Sequence, residues 1–254
     1  MLLAIDMGNT QTVVGLLEGD GLEHHWRFAT ERSRTADEYR LLLRGLFDLD
    51  EIDVSAISGA VLSSVVPHAT EALRIAAQMI DGEVLVVGPG VKTGMPILID
   101  NPKEVGADRI VNAVAAHHTY GAPVVVVDFG TSTNFDVVGR DGEYLGGAIA
   151  PGLEVSMDAL VSATSALRTV SLEPPRGPIG KGTVEAIQSG LLYGHAGLVD
   201  GLMDRIVDDL GPDTTTVATG GLAPVIVPHC STVDHIDEFL TLTGLRLLWE
   251  RNRG

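Results

Sequence analysis

Residues 124–136 read VVVVDFGTSTNFD, and this stretch decides how the chain folds. Four consecutive valines are typical of a strand that is buried on both faces of a sheet. The strand predicted over Val124–Asp128 ends in an aspartate, and Gly130 then permits a tight turn into a second strand, Thr133–Val138. Backbone N–H groups and small hydroxyls in such a turn can surround phosphate oxygens, while the aspartate can hold a cation beside them.

The same pattern stands at the start of the chain, where LLAIDMGNT occupies residues 2–10. Asp6-Met7-Gly8 corresponds to Asp128-Phe129-Gly130, which lies 122 residues later. The turns that follow, Asp20-Gly21 and Asp141-Gly142, are 121 residues apart. Each copy reads strand, Asp-x-Gly turn, strand, Asp-Gly turn, strand. The sequence therefore predicts a duplicated β-β-β-α-β-α domain, with the two halves facing one another.

Periodicity and turn residues predict the other elements. Thr35 suits the N-cap of a helix with Asp37 and Glu38 in its first turn. Further strands are predicted at 57–63, 83–87, 144–149 and 214–219. Further helices are predicted from 67, over 104–118, 153–163 and 184–209, after TGGLA, and through LTGLRLLWERN at the C-terminus.

Other phosphate-binding motifs fail on their spacing. In GPIGKGT (177–183), a Walker loop needs glycine where Pro175 stands and Ser or Thr where Gly182 stands. In GPGVKTG (88–94), Thr93 occupies the place of the last glycine of a dinucleotide fingerprint. The letters DFG are also found in protein kinases, but this chain lacks the HRD catalytic loop and the VAIK strand of that class.

The composition excludes several classes of partner. The chain has 254 residues, 45% of them hydrophobic, and a net charge of −17 with no basic cluster, which argues against nucleic-acid binding. Its apolar runs are far shorter than a membrane span. Cys230, the one cysteine, allows no internal disulfide and is expected to be a small buried side chain. We expect a cytoplasmic protein that binds neither nucleic acid nor membrane.

Six stretches carry a resemblance to a known family. They are, in chain order, DMGNTQT, EVGADR, DFGTSTNFD, GGAIAPGL, GKGTVEAIQSG and TGGLA. Together they resemble the type III pantothenate kinases, which belong to the acetate and sugar kinase, heat-shock chaperone and actin superfamily. The resemblance implies an α/β fold of two duplicated ribonuclease-H-like domains of the actin-like ATPase superfamily, with a nucleotide cleft between them. The first domain would span residues 1–119 and the second residues 120–254.

The resemblance also implies a reaction and its residues. The reaction is ATP-dependent phosphorylation of pantothenate to 4′-phosphopantothenate, which opens coenzyme A biosynthesis, by a homodimer. Asp108 would be the catalytic proton acceptor, Asp128 the ligand of a monovalent cation (K⁺ or NH₄⁺), and Asp6 the residue near the Mg²⁺-nucleotide. ATP would contact Asp6, Met7, Gly8, Asn9, Thr10, Gln11, Thr12, Val13 and Thr131. Pantothenate would contact Gly106, Ala107, Asp108, Arg109 and, across the dimer interface, Thr183.

Three positions depart from the family pattern. Asn134 stands where the family usually has Thr, Ile99 where a Tyr often contacts pantothenate, and Arg168 where Pro is frequent. A catalytically silent homologue with a regulatory role is an alternative, against which the complete set of Asp6, Asp108 and Asp128 argues. A sugar or acetate kinase of the same superfamily is another, but EVGADR is not a motif associated with those enzymes.

Overall fold

The computed structural model describes residues 1–253 and, at Lys103, the backbone alone. Within these residues the strands are β1 Leu2–Met7, β2 Gln11–Glu18, β3 Gly21–Ala29, β4 Gly59–Ser64, β5 Glu83–Val86, β6 Val124–Phe129, β7 Ser132–Val138, β8 Tyr144–Pro151, β9 Thr215–Thr219 and β10 His235–Ile236. The helices are α1 Ala36–Leu49, α2 Pro67–Ala77, α3 Ala107–Tyr120, α4 Leu153–Ser162, α5 Thr183–Leu210, α6 Ala223–Ile226 and α7 Leu240–Asn252.

The strands form two five-stranded sheets with the same topology. The first has the order β3-β2-β1-β4-β5, and the second has the order β8-β7-β6-β9-β10. In each sheet the first three strands in the chain are antiparallel neighbours, and the last two run parallel to the first. β6 therefore corresponds to β1, β7 to β2 and β8 to β3. The duplication predicted from the two Asp-x-Gly turns is confirmed.

The register explains why the two copies are offset first by 122 and then by 121 residues. Met7 pairs with Thr12 in the first hairpin, which leaves residues 8–11 in the turn. Phe129 pairs with Thr133 in the second hairpin, which leaves residues 130–132. The second turn is thus one residue shorter. An equivalent hydrogen bond closes both turns, since Gly8 N donates to Gln11 O and Gly130 N to Ser132 O, each at 3.0 Å.

Each sheet has its own hydrophobic core. In the first, α1 buries Tyr39, Leu43 and Phe47, which recur every four residues, in a core shared with α2 and with β1, β2 and β4. Full burial of each such side chain stabilises the fold by roughly 1.5–3 kcal/mol. In the second, β6 and β7 share a core with α5. Asp136 is also completely buried, on the opposite face of β7 from Phe135 and Val137, and its Oδ1 accepts a hydrogen bond from the Tyr144 hydroxyl at 2.8 Å.

The element boundaries agree with the sequence except at a few ends. Thr35 is the N-cap of α1 and forms the full capping box with Glu38. The helix predicted over 104–118 begins at Ala107, because a 3-10 turn occupies Pro102–Glu104. The two-residue strand β10 is not predicted, since its length is too short for a periodic signal.

The residues divide into two compact units. The first comprises Met1–Pro96, Asp100–Ala115 and the described residues from Phe239 onward, and the second comprises Ile97–Ile99 and Ala116–Glu238. The C-terminal helix α7 belongs to the first unit because Trp249 packs on Gly59, where a Cβ would overlap its indole ring. The division at residues 119 and 120 stays a prediction about domains, and the compact units divide the chain differently at its C-terminal end.

Candidate functional site

In the first unit, the hairpin between β1 and β2 contains all eight residues predicted from Asp6 to Val13. Gly8 forms the tight part of the turn, since a Cβ there would lie 3.0 Å from Gln11 O. Asn9 and Thr10 are exposed at the tip. Behind the tip, the buried Thr12 hydroxyl lies 2.9 Å from that of Thr30. The hairpin is therefore stabilised by contacts behind its tip, and the tip itself is exposed to solvent.

Asp108 lies in the same unit, at the first turn of α3. Arg109 N donates to Asp108 Oδ1 at 2.9 Å, and a Cβ at Gly106 would lie 2.4 Å from the same oxygen. Gly106 in turn faces Val65, whose N–H donates to Met7 O at 3.1 Å. Burial raises the pKa of Asp108, and the neighbouring Arg109 only partly opposes this shift. A carboxylate with a raised pKa is a better proton acceptor than an exposed one.

In the second unit, three separate sequence motifs meet at the hairpin between β6 and β7. Gly152, from GGAIAPGL, donates its N–H to Thr131 O at 3.1 Å, and a Cβ at Gly152 would overlap the carbonyl oxygens of Gly130 and Thr131. Gly220, from TGGLA, faces Asp128. Both glycines let other segments approach the turn closely, which the sequence order alone does not reveal.

Asp128 and a backbone carbonyl lie close to Gly220. A Cβ at Gly220 would lie 2.6 Å from Asp128 Oδ1 and 2.6 Å from Phe129 O, and its φ of +92° also favours glycine. The absence of a side chain lets the Gly220 backbone approach these two oxygen atoms and also Phe129 N, which would lie 2.7 Å from the Cβ. Carboxylate and carbonyl oxygens are the donors that hard cations prefer, so the residues present fit a monovalent cation.

His195 supports the same hairpin from the core. Its Nε2 lies 2.8 Å from the Thr133 hydroxyl, and its ring lies 6.2 Å from that of Phe129. Burial lowers the pKa of His195, so the neutral imidazole is favoured. Sequence reasoning missed this residue because a histidine in the middle of α5 gives no local signal for a partner 62 residues away.

Of the remaining predicted positions, Thr183, Ile99 and Arg168 lie outside the hairpins of the second unit, whereas Asn134 lies in β7 and pairs with Asp128. Thr183 is exposed at the first position of α5. Ile99 packs near Gly146, where a Cβ would lie 3.4 Å from Ile99 Cγ2. Asn134 accepts a hydrogen bond from the Ser132 hydroxyl at 2.9 Å, and Arg168 is exposed in the segment after α4.

Cys230 is a partly buried free thiol. Burial, with a smaller contribution from Asp200, raises its pKa to about 11. Among residues 1–253, with the Lys103 side chain set aside, no three His, Cys, Asp or Glu side chains are grouped so that they could hold a metal ion. No helix in the described part of the chain is both long and apolar enough to cross a membrane.

Comparison with known proteins bears directly on these motifs. A family model described as type III pantothenate kinase matches residues 2–205. The chain is 54% identical to the type III pantothenate kinase of Frankia alni, covering 99% of this chain and all of that protein. It is also 54% identical to that of an Anaeromyxobacter species, covering 100% of both chains.

A solved structure, the activator of the 2-hydroxyisocaproyl-CoA dehydratase from Clostridium difficile with bound ADPNP, is similar in fold. Its TM-score is 0.54 at 12% identity, and the match covers 99% of this chain and 96% of that one. Two sheets of identical strand order agree with the predicted duplicated fold of the actin-like ATPase superfamily. The chain belongs to the type III pantothenate kinase family.

Proposed function

We propose that this protein transfers the γ-phosphoryl group of ATP to pantothenate, giving ADP and 4′-phosphopantothenate in the first step of coenzyme A biosynthesis. The observation that carries the proposal is full-length similarity to type III pantothenate kinases, combined with aspartates at both hairpins and at the start of α3. A kinase of this family uses ATP together with a divalent metal ion.

Each hairpin is proposed to bind ATP through its own residues. These residues are Asp6 to Val13 in the first hairpin and Thr131 in the second, and Asp6 would be the residue near the Mg²⁺-nucleotide. Exposed backbone at the tip of the first hairpin supports this role, because N–H groups in a tight turn can bind phosphate oxygens without a P-loop lysine. Phosphoryl transfer passes through a loose transition state, so holding and neutralising the phosphates accounts for most of the catalysis.

Asp108 is the proposed catalytic base. The primary hydroxyl oxygen of pantothenate attacks the γ-phosphorus, the bond from that phosphorus to the ADP oxygen breaks, and Asp108 accepts the hydroxyl proton. Gly106, Ala107 and Arg109 line the pantothenate site, where the planar guanidinium of Arg109 offers two parallel donors to the substrate carboxylate. The raised pKa of Asp108 favours proton acceptance, and kcat/KM should fall as the pH drops through that pKa.

Asp128 is the proposed ligand of a monovalent cation, K⁺ or NH₄⁺. Its support is the proximity of two oxygen atoms, Asp128 Oδ1 and Phe129 O, which both lie close to Gly220. A bound cation there supplies positive charge beside the phosphates. Turnover should be faster in potassium than in sodium, and Asp128→Asn should reduce that difference.

A homodimer is proposed because the second unit exposes several large apolar side chains. Leu145 and Ile149 are exposed on β8, with Ile149 66% exposed, and Leu160 and Val184 are exposed on α4 and α5. A patch formed by such side chains would suit an interface between two copies of the chain. Thr183, next to Val184, would then reach the pantothenate site of the partner. Sedimentation equilibrium should give twice the mass of the chain, and Ile149→Asp should shift it toward the monomer.

A cytoplasmic location is part of the proposal, since the single cysteine leaves no internal disulfide for an oxidising compartment to form. The net charge of −17 also argues against nucleic acid as a partner.

The test is a coupled ADP-release assay on the purified protein, with and without pantothenate, in potassium and in sodium. Pantothenate-dependent ADP release is expected. Its absence in every salt would favour the silent regulatory homologue, and release with a sugar or acetate instead would favour another kinase of the superfamily. Asp108→Asn should lower kcat by roughly 10²–10⁴, the usual contribution of a positioned general base. A fully active variant would place the base elsewhere.

A further inference from the structure

The segment between β3 and α1, residues 30–35, lies against the tip of the first hairpin. Thr30 N donates to Thr10 O at 2.8 Å, and the hydroxyls of Thr30 and Thr12 are 2.9 Å apart. Arg32 Nη2 donates to Asn9 Oδ1 at 3.3 Å. An exposed guanidinium is thus held at the tip of the turn for which phosphate binding is proposed.

The rest of the segment is fixed in place. Arg34 lies 5.8 Å from the ring centre of Phe28 and 5.4 Å from that of Tyr39, and the Tyr39 hydroxyl donates to Glu31 O at 3.1 Å. Thr35 caps α1 at the end of the segment. Because both ends of the segment are anchored, the backbone at Arg32 is held in a fixed position beside the first hairpin.

The charges around Arg32 leave it available for an anion. Four arginines of the first unit are paired with carboxylates: Arg40 with Asp37, Arg44 with Asp48, Arg74 with Glu71, and Arg246 with Asp20 and Glu250. Within the described residues, Arg32 makes no ion pair. The adjacent Glu31 carboxylate instead accepts hydrogen bonds from Ser33 N at 3.4 Å and Ser33 Oγ at 2.9 Å.

We propose that Arg32 binds a phosphate group of the nucleotide at the tip of the first hairpin. The inference rests on the proposed ATP-binding role of that hairpin. In a chain with a net charge of −17, a guanidinium beside Asn9 offsets part of the phosphate charge, and its remaining N–H groups can donate to two phosphate oxygens at once. Arg32 therefore provides the positive charge that other nucleotide-binding folds obtain from a P-loop lysine.

Calorimetric titration with a non-hydrolysable ATP analogue tests the inference on the full-length protein. Arg32→Ala should lower the affinity for the analogue by about 10- to 100-fold, because a charge-assisted hydrogen bond is lost. Arg32→Lys should recover part of the affinity, because it restores the charge but not the planar fork. The matched control is Arg40→Ala, an exposed arginine on α1 that should bind the analogue as the wild type does.

Two further readouts separate a phosphate contact from other roles. Added NaCl should weaken analogue binding less in Arg32→Ala than in the wild type, because screening acts on the charge that was removed. The KM for pantothenate should stay within about twofold. Unchanged analogue affinity in Arg32→Ala would overturn the inference, and so would a higher KM for pantothenate alone, which would assign Arg32 to the substrate carboxylate. Because the titration measures binding without turnover, a negative kinase assay can be told apart from a negative titration.

Discussion

Gly106→Ala should damage catalysis while leaving the fold nearly intact. A Cβ at Gly106 would lie about 0.6 Å inside the 3.0 Å separation that real Cβ atoms keep, and the atom in its way is Asp108 Oδ1. This oxygen ends a flexible side chain, so the carboxylate can turn away at little cost in stability. The backbone φ of Gly106 also lies outside the left-handed region, so alanine adds no backbone strain.

The size of the effect follows from that displacement. A misplacement of about 1 Å in a reacting group commonly costs roughly 100-fold in rate. A shift of about 0.6 Å or more should therefore lower kcat by about 10- to 100-fold, with a melting temperature within a few degrees of the wild type. Pantothenate-dependent ADP release and differential scanning calorimetry measure the two quantities.

Two controls make the result decisive. Gly45→Ala replaces an exposed helical glycine with no atom within 4 Å of the new Cβ, so activity should be unchanged and stability should rise by about 0.5–1 kcal/mol. In the Asp108→Asn background, Gly106→Ala should add little further loss, since both act on one group. Wild-type kcat in Gly106→Ala, or two fully additive losses, would refute the reasoning.

Three other predictions concern the second unit. Gly152→Ala should raise the KM for ATP and lower the melting temperature. The new Cβ would overlap the backbone carbonyl of Thr131, which can move only if the whole turn moves. An unchanged KM and melting temperature would contradict this prediction. His195→Gln should lose less stability than the wild type in urea unfolding between pH 7.5 and 5.5. The lowered folded-state pKa means that the unfolded chain takes up the proton first as pH falls below about 6.5, and an equal loss in both proteins would exclude this role. Cys230, with a pKa of about 11, should react with iodoacetamide at pH 8 far more slowly than glutathione, and an equal rate would show that the thiol is exposed.

Much of the fold can be predicted from patterns of residues that are close together in the sequence. The valine run, the Asp-x-Gly turns and the Asp-Gly turns predicted the first three strands of each copy, because hairpin pairing is a local property of the chain. The capping box at Thr35 was equally local. The ends of α3 and the short β10 were missed because a 3-10 turn and a two-residue strand have no periodicity to detect.

The sequence by itself determined the family, the duplicated topology and the aspartates at the hairpin ends. Only the tertiary structure decided what surrounds them. Gly220 and Gly152 reach the second hairpin, Arg32 reaches the first, and burial raises the pKa of Asp108. The physical reason is that a strand or turn depends on neighbouring residues, whereas close approach and desolvation depend on segments far apart in the chain that packing brings together.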